Sequence, residues 1–113
     1  MPFINVKTNT SISKESEIKI KSQLGDAIKI IGKSESWLMI NLEDEQKMYF
    51  KGDNSAKIAF VQVDLYGSAS RSAYNSMTEV VTEILNKELQ IQPDKIYVKY
   101  SEIENWGFNG SNF

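Results

Sequence analysis

The stretch IAFVQVDLYG, residues 58–67, decides the fold of this chain. Alternate positions in it hold Ala, Val, Val and Leu, and the positions between them include Gln62 and Asp64, which is the period of two expected of a strand with one buried face. The residues after it carry apolar side chains at helical spacing: Met77, Val80, Val81, Ile84, Leu85 and Leu89. Residues 96–100 alternate again, so this half of the chain predicts a β-α-β unit with two parallel strands.

The first half of the chain predicts the same order of elements. Residues 3–8 alternate like a strand, residues 14–31 place apolar side chains at helical spacing, and residues 37–42 alternate again. Gly32 stands where a glycine commonly ends a helix. We therefore predict a single α+β domain over residues 1–113, in which two β-α-β units form a four-stranded mixed sheet with both helices on one face.

The composition excludes several classes of chemistry. Hydrophobic residues make up 41% of the chain and charged residues 25%, which are the proportions of a folded globular domain. Cys and His are both absent, so the chain has no disulfide, no thiolate or imidazole metal ligand, and none of the commonest general bases. The formal net charge of −2 offers no electrostatic basis for binding nucleic acid or an anionic membrane. We therefore predict neither partner, and no metal or other cofactor.

Placing both helices on one face leaves the other face of the sheet uncovered. Its predicted residues mix large apolar groups with polar ones: Phe3, Asn5, Lys7, Trp37, Met39, Asn41, Phe60, Gln62, Asp64, Tyr97 and Lys99. A solvated sheet face is usually more uniformly polar, and exposed apolar patches often mark contact surfaces. Self-association is therefore favoured over a half-exposed sheet with scattered aromatic residues.

Pro2 is the candidate base that remains when histidine is absent. Removal of Met1 would turn its nitrogen from an amide into a secondary amine with a free lone pair. Burial and a nearby cation both disfavour the ammonium form, so they would lower the amine pKa from its ordinary range of roughly 7.7–8.0. Such a base is neutral at physiological pH, as general base catalysis requires. The alternative is a proline that merely starts a strand.

Short motifs run in order along the whole chain. They are PFI (residues 2–4) with TN (8–9), GK (32–33), MYFKG (48–52), PDKIYV (93–98) and WGFNGSNF (106–113). In this order and at this spacing they resemble the macrophage migration inhibitory factor family of the tautomerase superfamily. The resemblance implies a homotrimer in which three sheets wrap into a barrel with the helices outside. Such a trimer would cover the sheet face that the helices leave open. The resemblance also implies pockets at the subunit interfaces, each opening on an N-terminal proline.

The resemblance also implies an activity and a site. Members of this family interconvert the keto and enol forms of phenylpyruvate-like 2-oxo acids, with an N-terminal proline as the base. Carried onto this chain, the catalytic base is Pro2, and Lys33 binds the substrate carboxylate while lowering the proline pKa. The other implied substrate-binding residues are Trp37, Trp106, Phe108 and Phe113 of an aromatic slot, and Tyr97 of a neighbouring subunit.

Some positions depart from the family's pattern. The pocket residues Leu65 and Tyr66 stand where the family often has a serine and an aliphatic residue, and Tyr66 is expected to narrow the pocket. Lys99 stands where an amide is common, and this second cation is expected to favour more acidic substrates or to lower the proline pKa further. The C-x-x-C of some members is missing from residues 57–60, so thiol redox chemistry cannot operate.

Two other functions stay open at this point. The first is a cytokine-like protein that binds host receptors and has weak or vestigial tautomerase activity. The N-terminal residues lack the features of a signal peptide, which predicts a cytoplasmic protein, or one secreted by a route that needs no such signal. The second is a relative that uses the same proline for hydration or decarboxylation, and the single arginine, Arg71, argues against it.

Overall fold

A computed structural model of the chain describes residues 1–113. Four strands and two helices follow one another as β1 (Pro2–Thr8), α1 (Lys14–Ala27), β2 (Met39–Glu43), β3 (Ala59–Tyr66), α2 (Arg71–Leu89) and β4 (Ile96–Ile103). Two short strands, β5 (Gly107–Phe108) and β6 (Ser111–Asn112), form an antiparallel hairpin. Three 3₁₀ turns connect the main elements: Ile28–Ile31, Glu35–Trp37 and Pro93–Lys95. No helix in the chain combines the length and the hydropathy of a membrane span.

The four main strands form one mixed sheet in the order β2-β1-β3-β4. β1 runs parallel to β2 and antiparallel to β3, and β3 runs parallel to β4. Each parallel pair is joined through a helix, because a crossover is needed to return the chain to the same end of the sheet. This topology confirms the predicted α+β fold of two β-α-β units.

Both helices pack on one face of the sheet, and the core lies between the two layers. Every second residue of β3 is buried, and Val61, Val63 and Leu65 have no exposed surface. The helices contribute further fully buried side chains: Ile20, Leu24, Met77, Val81 and Leu85. Since buried apolar area stabilises a fold by about 25 cal/mol per Å², this shared core holds the helices against the sheet.

The boundaries of the first helix have local causes. Ser13 caps α1, because its hydroxyl accepts a hydrogen bond from a backbone N–H of the first turn at 3.1 Å. The helix predicted over residues 14–31 is α-helical to Ala27 and tightens into a 3₁₀ turn over Ile28–Ile31. Gly32 ends it with a φ of 76°, a left-handed conformation that glycine adopts without strain.

The other face of the sheet carries no helix, as predicted. A row of amides crosses it: Asn41 Nδ2 donates to Asn5 Oδ1 at 2.9 Å, and Asn5 Nδ2 donates to Gln62 Oε1 at 3.1 Å. Large apolar side chains flank this row, and Met39 and Tyr97 are 68% and 58% exposed. The single chain therefore presents a sheet face that is polar along its middle and apolar beside it.

Candidate active site

The start of β1 places residue 2 at the centre of the candidate site. Pro2 is buried and lies opposite Leu65 in the antiparallel pairing of β1 with β3. One residue further out, the Tyr66 N–H donates to the Met1 carbonyl oxygen at 2.9 Å. Strand pairing therefore holds the residue-2 nitrogen beside the end of β3.

Lys33 follows the Gly32 turn directly, and its side chain reaches the same end of β3. Lys33 Nζ donates to the Tyr66 carbonyl oxygen at 2.8 Å. The pKa of the α-amino group of Met1 lies below its ordinary value, first because the group is partly buried and second because Lys33 is positively charged. An amine at the start of this chain is thereby shifted toward its neutral form.

An open cavity of about 610 Å³ adjoins the chain start. Eleven residues line it, most of them apolar: Met1, Pro2, Phe3, Ser36, Trp37, Leu38, Met39, Asp64, Trp106, Gly107 and Phe108. The Trp37 and Phe108 rings meet edge to face, with centroids 5.2 Å apart. No group of carboxylates converges here or elsewhere in the chain to hold a metal ion. The cavity can therefore bury an apolar group against residue 2.

The segment before β2 carries Trp37 into the cavity wall. The sequence predicts a strand over residues 37–42, but the structure corrects its start, since Glu35–Trp37 form a 3₁₀ turn and β2 begins at Met39. The Ser34 hydroxyl caps that turn by accepting a hydrogen bond from a backbone N–H at 3.1 Å. This cap turns the chain away from extended geometry before the strand begins.

The segment lies against α1 at Gly25. The Glu35 carboxylate occupies the space that a Cβ at position 25 would take. Lys21 Nζ lies 3.6 Å from Glu35 Oε2. The 3₁₀ turn that carries Trp37 is therefore seated on the first helix.

The C-terminal hairpin and the residue before it supply another part of the cavity wall, formed by Trp106, Gly107 and Phe108. The Phe113 N–H donates to the Trp106 carbonyl oxygen at 3.0 Å and closes the hairpin of β5 and β6. The Phe113 ring lies 5.5 Å from the Tyr66 ring and is stacked with the Phe108 ring at 6.4 Å, centroid to centroid. A continuous aromatic cluster thus connects the end of β3 to the hairpin and, through Phe108, to Trp37.

The Tyr66 ring is expected to hold the hairpin in place. Tyr66→Leu keeps an apolar side chain but removes the ring pair with Phe113, and such pairs stabilise by roughly 0.5–1.5 kcal/mol. We expect the amides of residues 107–112 to exchange about two- to tenfold faster in hydrogen–deuterium exchange. Tyr66→Phe is the control, because it keeps the ring that packs against Phe113 and should not change these amides. Equal rates in Tyr66→Leu and the native protein would contradict this role.

The cavity brings some of the predicted site residues together and leaves others apart. Four of them line it: Pro2, Trp37, Trp106 and Phe108. Three more adjoin it through the contacts described above: Lys33, Tyr66 and Phe113. The Leu65 side chain has no exposed surface, because its position in β3 turns it into the core.

Tyr97 and Lys99 lie on β4, at positions that do not line this cavity. The Tyr97 ring contacts Phe50 and Phe60, with centroids 5.2 and 6.4 Å away. Lys99 lies opposite Gln62 in the pairing of β4 with β3. Both side chains are exposed, and their entry into a site from a neighbouring subunit stays a prediction.

Seven lining residues were not predicted as part of the site, and three of these lie on neighbouring strands: Phe3, Met39 and Asp64. They form one cross-strand row, because Phe3 pairs with Met39 on β2 and with Asp64 on β3. The alternation of each strand predicts that all three lie on the uncovered face. The missing information was the register between strands, which sets this row next to Pro2.

Comparison with known proteins matches the whole chain to one family. A family model described as macrophage migration inhibitory factor (MIF) covers residues 1–113. The chain is 29% identical to the macrophage migration inhibitory factor homolog of Brugia malayi and 26% identical to the macrophage migration inhibitory factor of Xenopus laevis. Each match extends over 115 residues and covers 100% of this chain and 99% of the relative.

Solved structures match over the same length. The crystal structure of Leishmania major MIF2 is 28% identical with a TM-score of 0.92, and the match covers 100% of this chain and 97% of that chain. The structure of the macrophage migration inhibitory factor homologue from Prochlorococcus marinus is 25% identical with a TM-score of 0.88, over 98% of both chains. The family model, the relatives and the solved structures all match the chain along its length. The chain therefore belongs to the macrophage migration inhibitory factor family of the tautomerase superfamily.

Proposed function

We propose that this protein is a keto–enol tautomerase of phenylpyruvate-like 2-oxo acids, and that Pro2, freed by the removal of Met1, is its general base. The observation that carries the proposal is a buried chain start that lines an apolar cavity beside Lys33. Burial and that positive charge both lower the pKa of the Met1 α-amino group, and they would act in the same way on a Pro2 amine one residue further along. Membership of the tautomerase superfamily supports an isomerase activity of this kind.

The proposed reaction moves protons and needs no cofactor. In the direction of enol formation, the neutral Pro2 nitrogen takes a proton from the carbon next to the carbonyl group and delivers that proton to the carbonyl oxygen, which becomes the enol hydroxyl. In the direction of the ketone, the neutral Pro2 nitrogen takes the proton of the enol hydroxyl and delivers it to the carbon, so Pro2 is neutral again after each turnover. Because the neutral amine is the base, enol formation accelerates as the pH rises through the pKa of Pro2.

Lys33 is the proposed partner of the substrate carboxylate. Its ammonium group is held at the end of β3 by the Tyr66 carbonyl oxygen and keeps further N–H donors for a ligand. Removal of Met1 also frees the Tyr66 N–H, which otherwise donates to the Met1 carbonyl oxygen. An ammonium group and a backbone N–H would then flank the place beside Pro2, and both favour an anion.

The proposed working unit is a homotrimer. Supporting this, the uncovered sheet face exposes Met39 and Tyr97, and small domains commonly bury such a face by symmetric self-association. In the trimer that the family resemblance implies, Tyr97 and Lys99 of one subunit would enter the pocket of its neighbour. The aromatic ring of the substrate would lie against Trp37, Trp106 and Phe108 in that pocket.

The experiment that tests the base uses protein shown by mass spectrometry to begin at Pro2. We expect Pro2→Gly to lower kcat/KM for the enol–keto conversion of phenylpyruvate by about tenfold or more, because glycine keeps an amine but loses the buried ring that fixes the nitrogen. Pro93→Gly is the matched control, since Pro93 begins a turn that does not line the cavity. Activity that is indifferent to Pro2→Gly removes the case for this mechanism.

A second candidate is a cytokine-like protein that leaves the cell and binds host receptors, with only vestigial turnover. The observation that favours it is the name of the relatives, which are macrophage migration inhibitory factors matched over their full length. A receptor-binding assay with the native protein and Pro2→Gly separates the candidates. Binding that survives the loss of turnover supports the second candidate, whereas turnover without receptor binding supports a cytoplasmic enzyme.

A further inference from the structure

Asp64 is the one charged side chain among the eleven residues that line the cavity. It lies on β3 opposite Phe3 of β1, and its side chain is half-buried on the uncovered sheet face. No ion pair within the chain involves its carboxylate. A carboxylate among apolar groups costs free energy unless a positive or hydrogen-bond-donating group faces it. A ligand that supplies such a group is therefore favoured over one that does not.

The charges of the site are separated along the end of β3. Lys33 Nζ is held by the Tyr66 carbonyl oxygen, and Asp64 lies two residues earlier on the same strand, about 7 Å away along it. Pro2 pairs with Leu65, which lies between these two positions. A substrate whose carboxylate meets Lys33 can therefore reach Asp64 with a group at its other end.

Four of the ten other residues that line the cavity are aromatic. Trp37, Trp106 and Phe108 all line the same cavity, and the faces of such rings attract cations. Aromatic rings and a carboxylate in one cavity favour an ammonium group over a neutral or an anionic one. We propose that the cavity selects aromatic 2-oxo acids whose ring carries a cationic amine at the end remote from the carboxylate. This inference rests on the proposed function, because it concerns the same cavity and the same base.

Lys99 is the nearby cation that competes with a ligand for Asp64, whether it comes from the same chain or, in the proposed trimer, from a neighbouring subunit. Lys99 pairs with Gln62, and Asp64 pairs with Ser101, so the two charged residues occupy diagonal positions on neighbouring strands. No ion pair joins them in the structure. If Lys99 neutralised Asp64 or outweighed it, the cavity would show no preference for a cation. The charge preference of the cavity therefore distinguishes an Asp64 that is available to a ligand from an Asp64 that Lys99 neutralises.

The test is a charge series of substrates. Phenylpyruvates with a para-aminomethyl, para-methyl or para-carboxyl group add a positive, neutral or negative group at nearly the same size. For the native protein we expect kcat/KM to fall in that order, with about a hundredfold between the cationic and the anionic probe. Asp64→Asn keeps the shape but removes the charge, so the ratio should shrink about tenfold. Glu43→Gln is the matched control, because it removes one negative charge at the far end of β2, and it should leave the ratio unchanged.

Binding is measured beside turnover so that the two proposals can fail separately. The calorimetric Kd values of 4-(aminomethyl)phenylacetate and 4-carboxyphenylacetate report the charge preference of the cavity without any proton transfer, because both carry a carboxylate for Lys33 and differ only in the charge at the other end. A preference for the cationic probe that Asp64→Asn abolishes supports the inference even where no phenylpyruvate is turned over, and in that case the proposed function fails alone. A native preference for the anionic probes, or no preference, overturns the inference. Because this outcome is read from the native protein, it does not depend on the folding of Asp64→Asn.

Discussion

Protein that retains Met1 is expected to show a kcat/KM for enol–keto conversion about a thousandfold below that of protein beginning at Pro2, since a general base contributes on the order of 10²–10⁴. With Met1 attached, the Pro2 nitrogen is an amide without a basic lone pair. Met1 also lines the cavity, and its carbonyl oxygen accepts the Tyr66 N–H. One retained residue therefore removes the proposed base and occupies part of the proposed site.

The form that bears Met1 can be converted into the form that begins at Pro2 within one sample, so both activities are measured on the same protein. Protein produced while methionine aminopeptidase is inhibited is assayed, treated with that enzyme and assayed again. Mass spectrometry gives the fraction that begins at Pro2, and activity should rise in proportion to this fraction. A Pro2→Gly sample treated in the same way is the control, because it gains an amine without the pyrrolidine ring. Full activity in the Met1-bearing form would place the base elsewhere.

Lys33→Met is expected to lower kcat/KM by about a hundredfold and to move the acid limb of the pH–rate profile to higher pH. The loss follows because hydrogen bonds to charged groups contribute about 1.5–3 kcal/mol, and methionine offers no donor to the substrate carboxylate. The shift follows because the charge of Lys33 lowers the pKa of the Met1 α-amino group and would act in the same way on the Pro2 amine once Met1 is removed. Without that charge the pKa rises, and more of the base is protonated at a given pH.

Two further variants separate the charge of this side chain from its packing. Burial is the larger cause of the lowered pKa of the Met1 amine. If the same holds for the Pro2 amine, burial remains in Lys33→Met and the limb should move only part of the way toward that of an ordinary amine. Lys33→Arg keeps the positive charge and should keep the limb near its native position. Lys29→Met removes an exposed lysine of the preceding 3₁₀ turn and should change neither value. An unshifted limb in Lys33→Met would exclude Lys33 as a cause of the lowered pKa.

The sequence predicts the layers of this fold well, because burial itself imposes the pattern. One face of β3 and one stripe of α2 must be apolar to fill the shared core. This requirement sets the spacing of the apolar residues in both elements, which can be recognised in the sequence. The start of β2 is harder to predict. Trp37 continues the alternation of the strand, while the 3₁₀ turn that contains it is held by a Ser34 cap and by backbone hydrogen bonds, which the alternation does not reveal.

The site is predictable in part, and for a different reason. Pro2 follows from chemistry once histidine is absent, and the aromatic residues of the slot follow from the family's motifs. Asp64 does not, because nothing in its own strand marks it as part of a pocket. Its place beside Pro2 depends on the antiparallel register of β1 and β3, which joins residues far apart in the chain and which local pattern does not specify.

Both ends of the chain meet at the cavity, and this has a practical consequence for recombinant work. An affinity tag fused before Pro2 would acylate its nitrogen, and a tag fused after Phe113 would extend from a residue packed against Tyr66. The cavity of a protein that carries either tag would be perturbed, so its kinetic constants would differ from those of the untagged protein. Kinetic studies of this protein therefore call for tag-free expression, or for fusions that a protease removes without leaving a scar at either terminus.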